Sequence, residues 1–287
     1  MITLVPVGGL CNRMRAMDAA LALHRVTGVP LRVYWESNAL LNCPFHRLFR
    51  PIPGIELVEG ISWSSRLLLR FGRFHAAARV LGRLTGTTYY HHDENERLEL
   101  DVATEQLHKL RQLHIISFAR FHQAPEQYSS FRPIPELEQR IAEITDRFDQ
   151  WTIGVHIRRT DNAHSIAVSS TGLFKEAMEQ LIREKPRTRF YLATDCQDTK
   201  QELISQFGDR IITGEEPVDR ASISGMQHAL VELFALSRTG YLFRSHFSSF
   251  SRTAAEIGHI PVSYTHLRAH ETVLDLVCRL LLEKTNT

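Results

Sequence analysis

The sequence predicts an α/β protein whose second half contains a parallel, doubly wound sheet. After residue 136, short apolar runs alternate with longer amphipathic segments, which is the pattern of strands separated by helices. The first 35 residues fit a strand–loop–helix–strand unit. Between these halves, Phe131–Pro135 is the best linker candidate. We therefore expect two domains, 1–133 and 134–260, in keeping with the length of the chain.

The first half begins with a strand at Ile2–Val7 and a turn at Gly8-Gly9. A helix over Arg13–Thr27 comes next, with Gly28 as its C-cap, and then a strand at Leu31–Trp35. Further along, we expect a basic helix over Ser62–Thr85, a polar, less regular stretch over Tyr89–Leu107 and a buried strand at Leu113–Phe118. The basic helix suits either a membrane surface, as a peripheral contact, or an ordinary solvated face whose arginine stems pack on the core.

In the second half, a helix over Glu136–Phe148 precedes four strand–helix pairs. The predicted strands are Thr152–Ile157, Arg189–Ala193, Arg210–Thr213 and Tyr241–Phe243. The helices paired with them are Gly172–Glu184, Thr199–Phe207, Ser224–Ser237 and Ser248–Ile257.

Composition limits the possible functions. The 287 residues are 43% hydrophobic and 23% charged, as in an ordinary globular protein, and the net charge of +2 argues against a nucleic-acid partner. The 15 histidines are scattered without metal-ligand spacing, so we expect no metal site. Four cysteines without framework spacing favour reduced thiols and a cytoplasmic location. No apolar run approaches membrane-spanning length.

The segment 261–287 is predicted to be a non-native tail. Pro261–Thr272 resembles the translation of a transposase-type sequencing adapter, and Leu276–Lys284 resembles its continuation in the same frame. The alternative is a real C-terminal helix, because Val273–Leu282 has helical apolar spacing. We exclude the segment from fold reasoning, as is done for fusion scars.

The most informative motif is Val155–Asp161, where a buried apolar run ends in two arginines, a hydroxyl and a carboxylate. The ends of parallel strands are where open α/β sheets bind ligands. Arginine suits phosphate there because its planar fork donates two parallel hydrogen bonds. The alternative is a pair of surface arginines at the end of a strand.

Three other segments carry polar groups at element boundaries. Thr194 and Asp195 come after the second strand of the second half and could accept hydrogen bonds from guanine or cap the next helix. Ser248 and Ser249 open the last helix, where they suit a phosphate or ribose or act as ordinary caps. Gly8–Arg13 joins a strand to a helix, and it matches neither a dinucleotide fingerprint nor a P-loop.

Taken together and in this order, the motifs resemble the α1,6-/α1,2-/protein O-fucosyltransferase superfamily. The resemblance rests on His156–Asp161, Tyr191–Asp195, Glu232–Ser237 with Ser248–Ser251 and Ala254–Glu256, and on Gly8–Met17 near the N-terminus. It implies a GT-B fold, two Rossmann-like domains that face a cleft. It also implies GDP-fucose as donor, an acceptor bound by domain 1–133 and a GDP-sugar bound by domain 134–260.

The resemblance also assigns roles to individual residues. Arg158 is expected to hold the diphosphate with support from Arg159, and Asp161 to orient Arg158 or act as the base. The remaining donor contacts are expected from His156 and Asp195 at the guanine and from Ser248 and Ser249 at phosphate or ribose. On the acceptor side, the expected cleft residues are Gly9, Asn12 and Arg13.

The implied reaction is inverting, metal-independent transfer of fucose to a hydroxyl of a glycan, for which a lipid-linked glycan suits a cytoplasmic enzyme. The α1,6 motif continues to a lysine and a glutamate where this chain has Asn162 and Ile166, so the base of that branch is absent. Other base candidates are Glu36 and His164. Two alternatives remain open: a transferase that uses another GDP-deoxysugar, and a guanine-nucleotide-binding protein without turnover.

Overall fold

The computed structural model describes residues 1–60, 63, 66, 87–91, 112–123, 126–159, 169–214, 219, 221–246 and 248–264. The chain forms two compact units, one of Met1–Ile134 with Arg220–Gln227 and one of Pro135–Asp219 with His228–Thr287. Within the described ranges, no helix is long and apolar enough to cross a membrane.

The first unit contains a five-stranded sheet in which every pairing is parallel. Its strands lie in the order β3-β2-β1-β5-β4. Their bounds are β1 Ile2–Pro6, β2 Leu31–Trp35, β3 Glu56–Glu59, β4 Thr87–His91 and β5 Gln112–Ser117. Helix α1, Leu10–Thr27, connects β1 to β2.

Helix α1 is buried over most of its length, including nearly every position from Arg13 to Leu23. Its buried residues include the charged Arg13 and Asp18 beside the apolar side chains, so the helix is enclosed although it is not apolar throughout. It ends where Gly28 adopts φ +67° and donates its N–H to the carbonyl of His24 at 2.8 Å. The C-cap predicted from the sequence is therefore confirmed, because this left-handed conformation favours glycine.

The second unit contains another all-parallel, five-stranded sheet, in the order β10-β9-β6-β7-β8. The strands are β6 Thr152–Ile157, β7 Arg189–Thr194, β8 Ile211–Ile212, β9 Leu242–Arg244 and β10 Val262–Tyr264. The helices are α2 Pro135–Thr145, α3 Thr171–Glu184, α4 Gln197–Phe207, α5 Ile223–Leu236 and α6 Ser249–Gly258, of which α5 belongs to the first unit up to Gln227. The predicted α/β class and parallel second sheet are confirmed.

The two faces of the second sheet differ in the elements that cover them. Val155 of β6 and its neighbours on β7 and β9 share one apolar core with α3 and α4. On the other face, Gly154 lies against Thr239 and Leu236, where a Cβ would come within 2.7 Å of the Thr239 Oγ1. His156 on this face stacks on Phe250 of α6. Strand alternation thus directs His156 toward α6.

Several boundaries differ from the sequence prediction. Helix α1 begins at Leu10, directly after Gly9, and β9 is shifted by one residue to include Arg244. Strand β3 was not predicted because its four residues include two glutamates. The proposed linker is also packed, since Phe131 contacts Phe49 and Pro133 forms a bridge to Phe49.

Strand β10 pairs with β9 from Val262 to Tyr264, so the sheet includes three residues that were predicted to lie outside the fold. Valine and tyrosine are good strand formers, and the edge of β9 was open to pairing. The rest of the adapter-like segment, 265–287, lies outside the described residues, as does nearly all of the predicted basic helix.

Candidate functional site

The carboxyl edge of the second sheet brings the sequence motifs together. Strand β6 lies at the centre of the sheet, and its His156 pairs in register with Ala193 of β7 and Arg244 of β9. Because all strands are parallel, the segments that come after them emerge at the same edge, where ligands bind in open α/β sheets.

Hydrogen bonds hold the end of β6 on both sides. Toward β9, the N–H of Arg158 donates to the Oγ of Ser245 at 3.0 Å, and the N–H of Ser245 donates to the carbonyl of His156 at 3.0 Å. Toward β7, the N–H of Arg159 donates to Oδ1 of Asp195 at 2.7 Å. The backbone at the two arginines is therefore fixed by side chains from both neighbouring strand ends.

The side chain of Arg159 belongs to the protein framework. Its Nε donates to Oγ1 of Thr171 at 3.2 Å and its Nη2 to the carbonyl of Ser169 at 2.7 Å. Burial lowers the pKa of Arg159, while Cys196 and Asp195 oppose that shift. The guanidinium thus fixes the start of α3 beside the edge.

His156 is enclosed and uncharged. Its side chain is 7% exposed and its ring stacks on Phe250 with centroids 5.1 Å apart and planes at 24°. Burial lowers its pKa to about 4, with smaller contributions from Asp195, which opposes the shift, and from Arg158 and Arg244, which reinforce it. Its Nδ1 is buried and has no hydrogen-bond partner among the described residues. At neutral pH the imidazole can offer one donor and one acceptor.

The start of α6 presents polar groups that the helix itself does not use. Ser248 occupies the N-cap position but makes no capping hydrogen bond, and its hydroxyl, on a side chain 2% exposed, has no partner in the described part of the chain. Ser249 is the first helical residue. The N–H groups of the first turn and the helix dipole favour an anion at this point. The capping alternative for Ser248 is therefore not the arrangement that the structure shows.

Asp195 likewise does not cap the next helix. The N-cap of α4 is Cys196, whose N–H donates to the Oγ1 of Thr194 at 3.3 Å. The carboxylate of Asp195 instead accepts from Arg159. Its predicted contact with guanine stays a prediction.

In the first unit, the loop after β1 is built on a buried arginine. Arg13 is 0% exposed, and its guanidinium donates to the carbonyl of Gly8 at 2.8 Å, to the carbonyl of Glu36 and to Oδ1 of Asn38 at 2.9 Å. Its Cζ lies 5.4 Å from the centroid of the Trp35 ring. Burial lowers its pKa to about 10, against the opposing charge of Glu36. Arg13 therefore joins the loops after β1 and β2 from beneath the surface.

Asn12 is half-buried and lies against Gly8, which has φ +86° and where a Cβ would come within 2.9 Å of the Asn12 Nδ2. Gly9 is the N-cap of α1. The expected roles of Gly9 and Asn12 toward an acceptor remain predictions. The catalytic prediction for Asp161, and the base candidate His164, lie outside the described residues.

Sequence reasoning missed Arg244 at the edge and gave no separate role to Ser245, the first residue of the serine-rich segment before α6. Arg244 is 4% exposed and Ser245 is buried. The only sequence signal was a charged residue directly after an apolar run, the same signal that had identified Arg158. No group of three or more histidine, cysteine, aspartate or glutamate side chains in the described ranges could hold a metal ion.

Solved fucosyltransferases have the same fold as this chain. NodZ from Bradyrhizobium is 16% identical, with a TM-score of 0.56 over 88% of this chain and 92% of its own. A mutant of Arabidopsis thaliana FUT1 in complex with GDP is 13% identical, with a TM-score of 0.62 over 96% of this chain and 72% of its own. POFUT1 in complex with GDP is 11% identical, with a TM-score of 0.52 over 92% of this chain and 97% of its own. No family model and no curated protein matches the sequence.

Proposed function

We propose that this protein is a glycosyltransferase that moves fucose from GDP-fucose to a hydroxyl group of a glycan. The observation that carries the proposal is the carboxyl edge of the second sheet, where Arg158, His156, Asp195 and the uncapped start of α6 converge in a fold shared with fucosyltransferases. Structures of NodZ and POFUT1 with GDP-fucose support this donor.

The proposed donor site divides into a phosphate side and a base side. Arg158, with Ser248 and Ser249 at the N-terminus of α6, provides cationic and N–H donors for a diphosphate. Asp195, on the β7 side of His156, provides a carboxylate that can accept from N1–H and the exocyclic amine of guanine. Adenine lacks that pair of donors, so a carboxylate here selects guanine.

The proposed reaction is an inverting displacement. The acceptor oxygen forms a bond to the anomeric carbon, its proton passes to a base, and the bond from that carbon to the β-phosphate oxygen breaks to release GDP. Negative charge grows on the β-phosphate, so donors already placed around it stabilise the transition state more than the ground state. We assign this task to Arg158 and the start of α6 and propose that no metal is needed for it. Asp161, from the same motif as Arg158, is the proposed base.

The first test is calorimetric titration of GDP and ADP into the wild-type protein and Arg158→Ala. We expect the wild type to bind GDP more tightly than ADP and Arg158→Ala to lose most of this affinity. Arg189→Ala is the matched control, because Arg189 begins β7 at the opposite edge of the same sheet. A folded wild-type protein that binds neither nucleotide would contradict the proposal.

A second test separates transfer from binding alone. Release of GDP is measured with GDP-fucose and with another GDP-deoxysugar, with and without glycan acceptors. Loss of one well-placed oxyanion donor costs about 10²–10³ in rate in comparable sites, so Arg158→Ala should lower turnover of GDP-fucose by at least that factor. GDP binding without sugar release from either donor would identify a nucleotide-binding protein instead.

A further inference from the structure

A carboxylate lies at the carboxyl edge of the first sheet, beside the loop that follows β1. Glu36 comes directly after β2, which pairs with β1 in the middle of the order β3-β2-β1-β5-β4. In dinucleotide-binding domains, a carboxylate after the second strand of a strand–helix–strand unit accepts a hydrogen bond from a ribose hydroxyl. The loop after β1 does not match the dinucleotide fingerprint, so Glu36 is suited to the hydroxyl groups of another ligand.

A buried arginine and an asparagine hold Glu36 in place. The Arg13 guanidinium donates to the backbone carbonyl of Glu36 and, at 2.9 Å, to Oδ1 of Asn38. The Asn38 amide in turn donates to the Glu36 carboxylate, with Nδ2 and Oε2 3.5 Å apart. This last contact is at the outer limit of a hydrogen bond, so the half-buried carboxylate keeps capacity to accept from a ligand on both oxygens.

The residues after Glu36 form a tight turn that carries an exposed apolar side chain. Asn38 and Leu41 each donate their N–H to the other's carbonyl, at 2.9 and 3.0 Å, and the N–H of Leu40 donates to Oδ1 of Asn38 at 3.0 Å. Leu40 is 52% exposed. Its carbonyl oxygen lies 3.9 Å from the position that a Cβ on Gly9 would take, so the turn contacts the start of α1.

This combination of groups matches the surface of a pyranose ring, which has adjacent hydroxyl groups on its rim and apolar C–H groups on its faces. A carboxylate only accepts hydrogen bonds, and its two oxygens can accept from two neighbouring hydroxyls at once. Such charge-assisted hydrogen bonds are stronger than neutral ones. A phosphate would be repelled by the same carboxylate. The edge of the first sheet therefore suits a neutral sugar better than the diphosphate of the donor.

We propose that Glu36 binds two adjacent hydroxyl groups of the acceptor sugar and that Leu40 packs against the C–H face of that sugar. The inference rests on the proposed function and deepens it, because it identifies the acceptor as a neutral sugar with a vicinal diol. Glu36 then binds the acceptor and is not the base. Arg13 and Asn38 are positioning residues, which hold the carboxylate without touching the sugar.

The test measures binding of methyl β-D-glucopyranoside, methyl β-D-galactopyranoside and methyl α-D-mannopyranoside by saturation-transfer difference NMR, together with the monodeoxy analogues of each. We expect at least one glycoside to bind the wild type, and removal of either of two adjacent hydroxyls to weaken its binding about 10-fold. In Glu36→Ala the same two deoxygenations should no longer change the affinity, because both hydroxyls have lost their shared partner. GDP affinity, measured by calorimetry, should stay at the wild-type value.

Two further variants serve as controls. Glu56→Ala removes a carboxylate at the amino edge of the same sheet, where Glu56 begins β3 and pairs with Arg32. It should change neither sugar nor GDP binding. Glu36→Gln keeps one acceptor oxygen but loses the charge, so we expect it to retain part of the sugar affinity. If Glu36→Ala fails to fold, the comparison of intact and deoxygenated glycosides in Glu36→Gln decides.

Each other outcome overturns the inference in a recognisable way. If deoxygenation weakens binding by the same factor in a folded Glu36 variant as in the wild type, the hydroxyls do not contact this carboxylate. If none of the glycosides binds a wild-type protein that binds GDP, the edge of the first sheet is not a site for such a sugar. A wild-type protein that binds no GDP contradicts the proposed function itself, which distinguishes that failure from failure of this inference alone.

Discussion

Gly258, the last residue of α6, lies against the backbone at the end of α5 with no room for a side chain. A Cβ at this position would lie 2.0 Å from the carbonyl oxygen of Ser237 and 2.8 Å from its carbonyl carbon. Both atoms are backbone just beyond the end of α5, so neither can rotate away. Restoring ordinary contact requires α6 or the Ser237 peptide to move by roughly 1 Å or more, and such overpacking costs about 1–3 kcal/mol.

Helix propensity alone predicts that Gly258→Ala stabilises the protein, which is the opposite of the effect expected from overpacking. Replacing glycine by alanine within a helix is worth about 0.5–1 kcal/mol in favour of alanine, and Gly258 has no positive φ that alanine would have to adopt. The structure therefore predicts a net destabilisation where local propensity alone predicts a gain. In a chain of this size each kcal/mol shifts the melting temperature by about 2–4 °C.

The assay is thermal and urea unfolding of Gly258→Ala beside Gly240→Ala. Gly240 precedes β9 and a Cβ there meets no atom within 4 Å, so this control should unfold like the wild type. We expect Gly258→Ala to melt several degrees below the wild type, because overpacking outweighs the gain in propensity. A Gly258→Ala protein that melts at or above the wild-type temperature would refute the close packing of α6 against the end of α5.

Three further predictions concern buried polar groups. Ser248→Ala should leave the free energy of unfolding within about 0.5 kcal/mol of wild type, because the hydroxyl has no partner in the described chain, but should weaken GDP binding about 10-fold by calorimetry. Arg13→Lys should lower the free energy of unfolding by about 1–3 kcal/mol in urea titrations, since lysine cannot reproduce the three hydrogen bonds to Gly8, Glu36 and Asn38. An unchanged free energy of unfolding would contradict these hydrogen bonds. Burial lowers the pKa of His156 to about 4, so this imidazole is protonated near pH 6.5 in the unfolded chain but stays neutral in the folded chain until about pH 4. Its contribution to the free energy of unfolding should therefore fall by about 1.4 kcal/mol per pH unit as pH is lowered between those two values. Urea titrations at pH 7, 6 and 5 should show a weaker pH dependence of the free energy of unfolding for His156→Gln than for the wild type.

The fold was largely predictable because most of its parallel strands are short, largely buried apolar runs that stand out from the helices between them. Strands β1, β2, β5, β6 and β7 were all found within one or two residues of their predicted bounds. The misses have physical reasons. Strand β3 is short and half-exposed, and β4 overlaps the start of the stretch Tyr89–Leu107 that was predicted to be polar and less regular. Pairing with a neighbouring strand decides both cases, and pairing is not visible in a local pattern.

The candidate site was predictable in position but not in contacts. The motifs correctly placed His156, Arg158 and Asp195 at one sheet edge, because the carboxyl ends of parallel strands all lie on the same side of a sheet. Whether Asp195 capped α4 or faced the edge was undecided from spacing, since aspartate does either. The structure resolves this through the Arg159 N–H, a partner 36 residues away that no local rule could supply.

The two adjacent arginines show why a motif alone could not assign their roles. Neighbouring residues on an extended chain point to opposite faces, so Arg158 and Arg159 cannot both share the α6 face with His156. Arg159 lies on the α3 side, where Thr171 and the carbonyl of Ser169 use its donors. Strand alternation therefore leaves Arg158 as the arginine of this pair that can share the α6 side with His156. On β9, the residue in register with His156 is Arg244. Arg244 reaches this face through the register of β9 with β6, and a motif read along one strand does not contain that register.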